Sequence, residues 1–470
     1  MEPAPSDGAD ARFWAAVEDQ DAAALAAALN VEDEARQSSL TSLLPALSSW
    51  RRQSLDESAV DGWRYRIAWH PVPEPSGTPL SGTWLLAVPA GHRDSPWVAG
   101  AVRALGDRGV RVVPMEPTGA DADRTVLAAL LREALADPQD AEPIDQPAGV
   151  LSFLALDSQA HERHPALPTG LALTLALVQA MSDLQWQTPL WCATRGAVST
   201  GTSDAPADPV QAQIWGLGRV VALEQPHLWG GLVDLPVDAD EQAFGMLAGI
   251  LAGSSGEDQV ALRSSGPVAR RMVKAPLGAA RPVRRWRPRG TVLVTGGTGS
   301  LGPRLARWLA ANGAEHLVLV SRSGPNAPGA AELVAELAAQ GVPVDVASCD
   351  VADRGAVAEL LAELRDAGHT VRAVLHTAAF IELTSVVTTT LESLGSVLAA
   401  KVDGAGHLAE LLDPEELDAF VLFSSIAAFW GSGDHAAYAA ANAALDALAE
   451  TGRARGLPMT SVAWASGRTP

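Results

Sequence analysis

The feature that most limits the fold of this chain is an alternation of short strand-like runs with Ala- and Leu-rich helical stretches, and it occurs twice. In the first stretch the strand candidates are WRYRIAWHPV (63–72), TWLLAVP (83–89), VRVVPM (110–115), VLSFLAL (150–156), PLWCAT (189–194) and GLVDLP (231–236). Helical segments lie between them, notably VAGAVRAL, TVLAALLREAL and LALTLALVQAM. The second stretch offers TVLVTGG (291–297), HLVLVSRS (316–323), VPVDVASCD (342–350), AVLHTAA (373–379), AFVLFSS (419–425) and TSVAWAS (460–466). Alternation of this kind predicts a parallel, doubly wound sheet. Each copy has a strand, a helix ending near a glycine (Gly109, Gly313) and a further strand. Each also has a long helical stretch before its last readable strand, VQAQIWGLGRVVALEQ and AYAAANAALDALAETGRARG. The expected fold class is therefore α/β, with two doubly wound subdomains related by internal duplication.

Between the copies, PLGAARPVRRWRPRG (276–290) reads as a linker. Ahead of both, FWAAVEDQDAAALAAAL opens on Phe13 and Trp14 and spaces Val17, Leu25 and Leu29 helically. A second run, SLTSLLPALSSWRRQ, does the same with Leu40, Leu43, Leu44, Leu47 and Trp50, and Pro45 marks a kink or a helix start. Two short helices cannot bury two apolar faces alone, so they cap the next domain or self-associate. The expected domains are a helical element at 1–60, a first subdomain at 61–280 and a second at 281–470. At about 150 residues per domain, roughly three units suit the length.

Composition narrows the function. With 34 basic and 55 acidic side chains the net charge is −21, so nothing here neutralises a nucleic-acid backbone. The two cysteines, Cys192 and Cys349, are too far apart in sequence for a disulfide framework or a Cys-based zinc site, which fits a reducing cytosol. No run approaches the ~20 apolar residues of a membrane span. MEPAPSDGAD lacks the basic and apolar regions of a secretory signal.

The chemistry concentrates in the second copy. Its first strand runs into Thr295, Gly296, Gly297, Thr298, Gly299, Ser300, Leu301 and Gly302, then a helix. Glycines at this spacing, between strand and helix, let the backbone approach a pyrophosphate at the positive helix end. The matching stretch of the first copy, AGHRDSPW, has a single glycine, so that copy is expected to bind no nucleotide. At the end of the next strand stands Arg322 between Ser321 and Ser323, with no acid there. A ribose 2′-phosphate needs a cation at that place, so NADPH is expected over NADH, a solvated loop arginine being the alternative. Asp350 and Val351 are placed against the adenine, and Thr377, Ala378 and Ala379 on the nicotinamide side.

The chain has two tyrosines. Tyr65 lies in a strand candidate and reads as packing. Tyr438 opens a small-residue helix after the strand ending in Ser424 and Ser425, with Asn442 one turn on along the same face. A phenol with a pKa near ~10 serves acid–base chemistry at neutral pH when a cation stabilises its phenolate. Lys401, in a predicted helix between the fourth and fifth strands, is the candidate, and a snorkelling surface lysine is the alternative.

The glycine turn, Ser425, Tyr438, Asn442 and Lys401 together resemble the short-chain dehydrogenase/reductase superfamily. More narrowly, they resemble the ketoreductase domains of modular type I polyketide synthases, in which the Lys and Asn positions are exchanged. The resemblance covers about residues 10–466 and implies two Rossmann-like subdomains, the first degenerate and structural. It makes residues 10–55 similar to a dimerisation element and so implies a homodimer. It implies that Tyr438 protonates a carbonyl oxygen as hydride arrives, that Ser425 hydrogen-bonds that oxygen, that Lys401 lowers the tyrosine pKa, and that Asn442 holds the geometry or a water relay. The substrate implied is a β-ketoacyl chain on the phosphopantetheine of an acyl carrier protein, within a bacterial cytoplasmic synthase whose other domains are neighbours. AAFIELTSVV lacks the Leu-Asp-Asp triplet of B-type enzymes, whereas Trp430 and His435, eight and three residues before Tyr438, resemble A-type marks. An L-configured hydroxyl is then expected, in the subclass acting on an epimerised α-substituent. The chain ends at ASGRTP (465–470), ahead of the family's lid helix, which puts its own turnover in doubt. A redox-silent epimerase and a dimerising scaffold are the competing readings, and the intact Tyr438, Ser425 and Lys401 count against the first.

Overall fold

The computed structural model describes residues 8–73, 79–136, 144–202, 204–253, 256–278, 280 and 286–464. The closing ASGRTP and part of the expected linker lie outside these residues. The chain divides into two compact units, residues 1–68 with 271–285, and 69–270 with 286–470.

The smaller unit contains three helices where the sequence predicts two: α1 (Gly8–Glu18), α2 (Ala22–Ala28) and α3 (Glu34–Gly62). The first run breaks because Gln20 takes a left-handed φ of 55° and Asp21 then caps α2, accepting from the Ala23 and Ala24 amides. Asp33 caps α3 in the same way, and Pro45 sits inside that helix. Ala16, Val17, Leu25 and Leu44 make a small core, with Trp14 stacked on Trp50 and Arg51 lying 4.4 Å over the Trp14 ring. Strand β1 (Tyr65–Pro71) follows. Tyr65 is 47 % exposed, so the expectation that it packs fails: its strand ends the strand order of its sheet, and among the described residues no further strand pairs beyond it.

The larger unit holds two sheets. The first half comprises β2 (Thr83–Ala87), α4 (Pro96–Gly106), β3 (Arg111–Met115), α5 (Arg124–Leu135), β4 (Gly149–Ser152), β5 (Ala160–His161), β6 (His164–Pro168) and α6 (Thr169–Asp183). It continues with β7 (Leu190–Arg195), α7 (Pro209–Glu224), β8 (Trp229–Leu235), α8 (Glu241–Leu251), β9 (Gln259–Arg263) and β10 (Gly266–Lys274). Its sheet runs β1-β10-β9-β8-β7-β4-β2-β3, parallel from β3 to β9 and antiparallel at the β9–β10 hairpin.

The second half is β11 (Thr291–Thr295), α9 (Gly302–Ala311), β12 (His316–Ser321), α10 (Ala330–Ala339), β13 (Val344–Ser348), α11 (Arg354–Asp366), β14 (Val371–His376) and α12 (Leu391–Leu398). Then come α13 (Gly404–Leu411), β15 (Ala419–Ser425), α14 (Ala427–Trp430), α15 (Ala436–Ala454) and β16 (Met459–Trp464). These six strands are all parallel, in the order β13-β12-β11-β14-β15-β16. That is the dinucleotide-binding order, with a switch point between β11 and β14. The first sheet follows the same plan without an equivalent of β13.

The equivalent helices α7 and α15 explain the small-residue stretch around Tyr438. A Cβ on Gly216 of α7 would lie 2.3 Å from the Ala439 carbonyl oxygen, so the two backbones touch. Trp215, Leu217, Ala437, Ala440 and Ala441 share one buried core across the two halves. Among the described residues no helix is long and apolar enough to cross a membrane.

Candidate active site

The glycine turn is built to its spacing. Gly296 has a φ of 66°, and the Gly297 amide donates to the Val320 carbonyl at 3.0 Å. A Cβ on Gly302 would lie 2.0 Å from the Gly297 oxygen, and one on Gly297 would lie 2.8 Å from Leu319 Cβ. Side chains are thus excluded on the inner face, while Gly299, Ser300 and Leu301 are exposed on the outer. Helix α9 starts with no side-chain cap at Leu301. Uncapped helix amides beside a turn with no Cβ to obstruct them fit a dinucleotide pyrophosphate.

The other expected cofactor residues lie at the carboxyl ends of neighbouring strands. Arg322 and Ser323 are exposed past β12, and among the described residues the Arg322 guanidinium has no partner. Ser321 Oγ accepts from the Gly324 amide at 3.1 Å. Asp350 is exposed and accepts from the Ala352 amide, whereas the Val351 side chain is buried in the core. Thr377 Oγ1 donates to the Thr295 carbonyl at 2.7 Å, and the Ala378 amide to Thr295 Oγ1 at 3.3 Å. These bonds hold the segment after β14 against the glycine turn, and Ala379 follows in the same segment.

Lys401 is not a surface lysine on a regular helix. It lies in a π-helical turn, Ala399–Asp403, and is 1 % exposed. Its Nζ donates to the Phe423 carbonyl at 2.7 Å and stands 5.3 Å from the centre of the Tyr438 ring. Burial pushes its pKa down to about 8, opposed by the carboxylate of Asp446. Asp446 is on α15 two turns beyond Tyr438, accepts from Ser461 Oγ at 2.5 Å, and is itself pushed up to about 6 by burial.

His376, at the end of β14, ties this turn to the glycine turn. Its Nε2 donates to the Lys401 carbonyl at 2.9 Å, and its Nδ1 meets Thr295 Oγ1 at 2.8 Å. A carbonyl only accepts, so Nε2 carries the proton and Nδ1 takes that of the threonine. Burial drives the His376 pKa to about 3, and the ring is neutral. Sequence reasoning passed over this residue, although a histidine inside an apolar strand was a visible signal. Asp446 was legible too, being in register with Tyr438 and Asn442 on one helix face.

Burial raises the Tyr438 pKa above its ordinary 10, outweighing hydrogen bonds from the Asn442 and Ser425 side chains that lower it. The phenol is therefore protonated at neutral pH, the state a proton donor needs. Ser425 Oγ accepts from the Ala427 amide at 3.2 Å. Asn442 is fully buried; its Nδ2 donates to the Tyr438 carbonyl at 2.7 Å, and its Oδ1 has no partner among the described residues. His435 donates from Nδ1 to the Gly433 carbonyl at 2.6 Å, and its ring is 6.1 Å from that of Tyr438. Trp430 closes α14 and is 50 % exposed.

Comparison with known proteins follows the same partition. Residues 290–468 match the KR domain family, 10–56 the polyketide synthase dimerisation element domain, and 67–272 the Rossmann fold domain of polyketide synthase extender module SpnB. The chain is 54 % identical over 462 residues to polyketide synthase GfsA of Streptomyces halstedii, covering 97 % of this chain and 6 % of that protein. It is 47 % identical over 415 residues to pikromycin polyketide synthase component PikAIII of Streptomyces venezuelae, covering 88 % and 25 %. It thus spans a minor part of these synthases. Among solved structures, an A1-type ketoreductase is 47 % identical with a TM-score of 0.78, covering 86 % of this chain and 83 % of that one. A C2-type ketoreductase from a modular polyketide synthase is 45 % identical with a TM-score of 0.76, covering 87 % and 84 %. With its glycine turn and half-buried tyrosine, this chain belongs to the ketoreductases of modular polyketide synthases, oxidoreductases that depend on a nicotinamide cofactor.

Proposed function

We propose that the chain reduces a β-ketoacyl thioester, carried on an acyl carrier protein, to an L-configured β-hydroxyacyl thioester with NADPH as reductant. The observation that carries this is a half-buried Tyr438 flanked by Ser425, Asn442 and the ammonium of Lys401, at the same sheet edge as the glycine turn. The bound dihydronicotinamide supplies the hydride. Ser425 and Tyr438 hydrogen-bond the ketone oxygen, and Tyr438 gives it a proton as negative charge develops there. Lys401 stabilises the phenolate left behind. Asn442 fixes the start of α15 through the Tyr438 carbonyl and offers its unpartnered Oδ1 to a proton relay.

Arg322, whose guanidinium has no partner among the described residues, stands beside Ser321 and Ser323 and supports NADPH over NADH. Trp430 and His435, and the likeness to an A1-type enzyme, support the L-hydroxyl product. His435 supports a substrate with an epimerised α-substituent. In the helical unit, Leu43, Trp50 and Leu55 are exposed, which supports a homodimer through residues 10–55. Neighbouring synthase domains in a bacterial cytoplasm are the remaining partners.

The test is NADPH oxidation with an α-methyl-β-ketopentanoyl thioester of N-acetylcysteamine, followed by chiral separation of the product. NADPH-dependent formation of the L-hydroxyl is expected. A D-hydroxyl product would refute the stereochemical reading, and equal use of NADH the cofactor reading.

A further inference from the structure

Two loops leave the carboxyl ends of the paired strands β14 and β15, the place where a sheet of this order binds its ligand. One runs over 377–390. The other, 426–435, carries Trp430 and His435 and leads into the Tyr438 helix. Glu224, the last residue of α7 in the first half, reaches both. Its Oε2 accepts from the Val386 amide at 2.6 Å, and its Oε1 from the Asp434 amide at 2.7 Å.

Several observations show that this is a clamp rather than a chance surface contact. Glu224 has no ion pair among the described residues, so its charge is devoted to the two amides. Asp434, a non-glycine residue, is held at a left-handed φ of 61°. The loops also touch each other, the Thr384 amide donating to the Asp434 carbonyl at 3.0 Å. From the same half of the protein, Gln179 Nε2 donates to the carbonyls of Val386 at 2.9 Å and Thr389 at 2.8 Å. Arg270 donates to the Phe429 carbonyl at 2.6 Å. The half expected to bind no cofactor thus grips both loops.

We propose that Glu224 is a positioning residue which fixes the shape of the acyl pocket by locking these two loops together, and that it thereby helps set which α-epimer and which ketone face react. The proposal rests on the reductase reading above and adds a specificity determinant outside the reducing subdomain. Asp434 immediately precedes His435 and lies four residues before Tyr438. Releasing its amide loosens the entry to α15, where the thioester must sit, and leaves the glycine turn untouched.

The test uses the whole chain with Glu224→Gln and Glu224→Ala. The glutamine keeps the size, but only its carbonyl oxygen can accept, so one amide loses its partner. With the racemic α-methyl-β-ketopentanoyl thioester, the ratio of product diastereomers should fall about tenfold and KM should rise, the scale of one charge-assisted hydrogen bond lost. NADPH affinity should be unchanged. Unaltered KM and diastereomer ratio in both variants would overturn the proposal, as would losses of stability and NADPH affinity with those two quantities intact. Hydrogen exchange reads the clamp without turnover: protection of one of the Val386 and Asp434 amides should fall in Glu224→Gln and of both in Glu224→Ala, and unchanged protection in both variants would overturn it. Protection lost in the variants while the wild type reduces nothing would refute the reductase reading, and the pocket role with it, while leaving the clamp.

Discussion

Replacing Lys401 with methionine removes a buried ammonium while keeping most of the side chain's volume. In the wild type that ammonium stands 5.3 Å from the Tyr438 ring centre. At an effective dielectric of about 20, a unit charge at that range stabilises a phenolate by about 3 kcal/mol, roughly a hundredfold in rate. The pH dependence identifies the group. Lys401 has its pKa lowered to about 8, so the ammonium is present below that value and lost as pH rises through it. Tyr438, raised above its ordinary 10, stays protonated across the same range. Reduction should therefore decline with a midpoint near pH 8. In Lys401→Met the rate at neutral pH should fall about a hundredfold and that limb should vanish. Stability supplies a second readout. A lysine whose folded pKa is below its ordinary 10.5 makes the unfolded chain bind more protons in between, so wild-type stability gains from this group as pH rises from about 8 to 10.5. The variant should lack that gain. A variant within a few-fold of wild type at neutral pH, or one keeping the alkaline limb, would refute the reasoning.

Arg322→Ala should lower NADPH affinity about tenfold with little effect on NADH, measured by fluorescence titration of both cofactors. Gly302→Ala puts a methyl 2.0 Å from the Gly297 oxygen, so the melting temperature should drop and NADPH binding should be lost. Removal of residues 1–60 should convert a dimer to a monomer by light scattering, while the remaining chain keeps its NADPH affinity.

The sequence made the parallel sheets and the candidate site residues readable because both are written in local pattern. A glycine turn needs its glycines in one short run, and Tyr438 and Asn442 are one helical turn apart. What stayed hidden depends on contacts between distant segments. The π-helical turn at Lys401 has no signature in VLAAKVDG, and whether that lysine is buried is decided by Phe423, Tyr438 and Asp446 closing around it. The break at Gln20 was missed because Val17, Leu25 and Leu29 keep a helical spacing across it, although Asp21 was available as a cap. Strands β9 and β10 were missed because Arg263, Pro267, Arg270 and Arg271 interrupt their apolar pattern. Nothing around Glu224 marks it, since its two partners are loop amides more than a hundred residues away.

The most direct measurement compares the wild type with Tyr438→Phe for NADPH binding and for NADPH consumption in the presence of a β-ketothioester. If this phenol is the proton donor, the variant keeps its cofactor affinity and loses at least about a hundredfold in turnover. A variant that consumes NADPH at close to the wild-type rate would contradict the account.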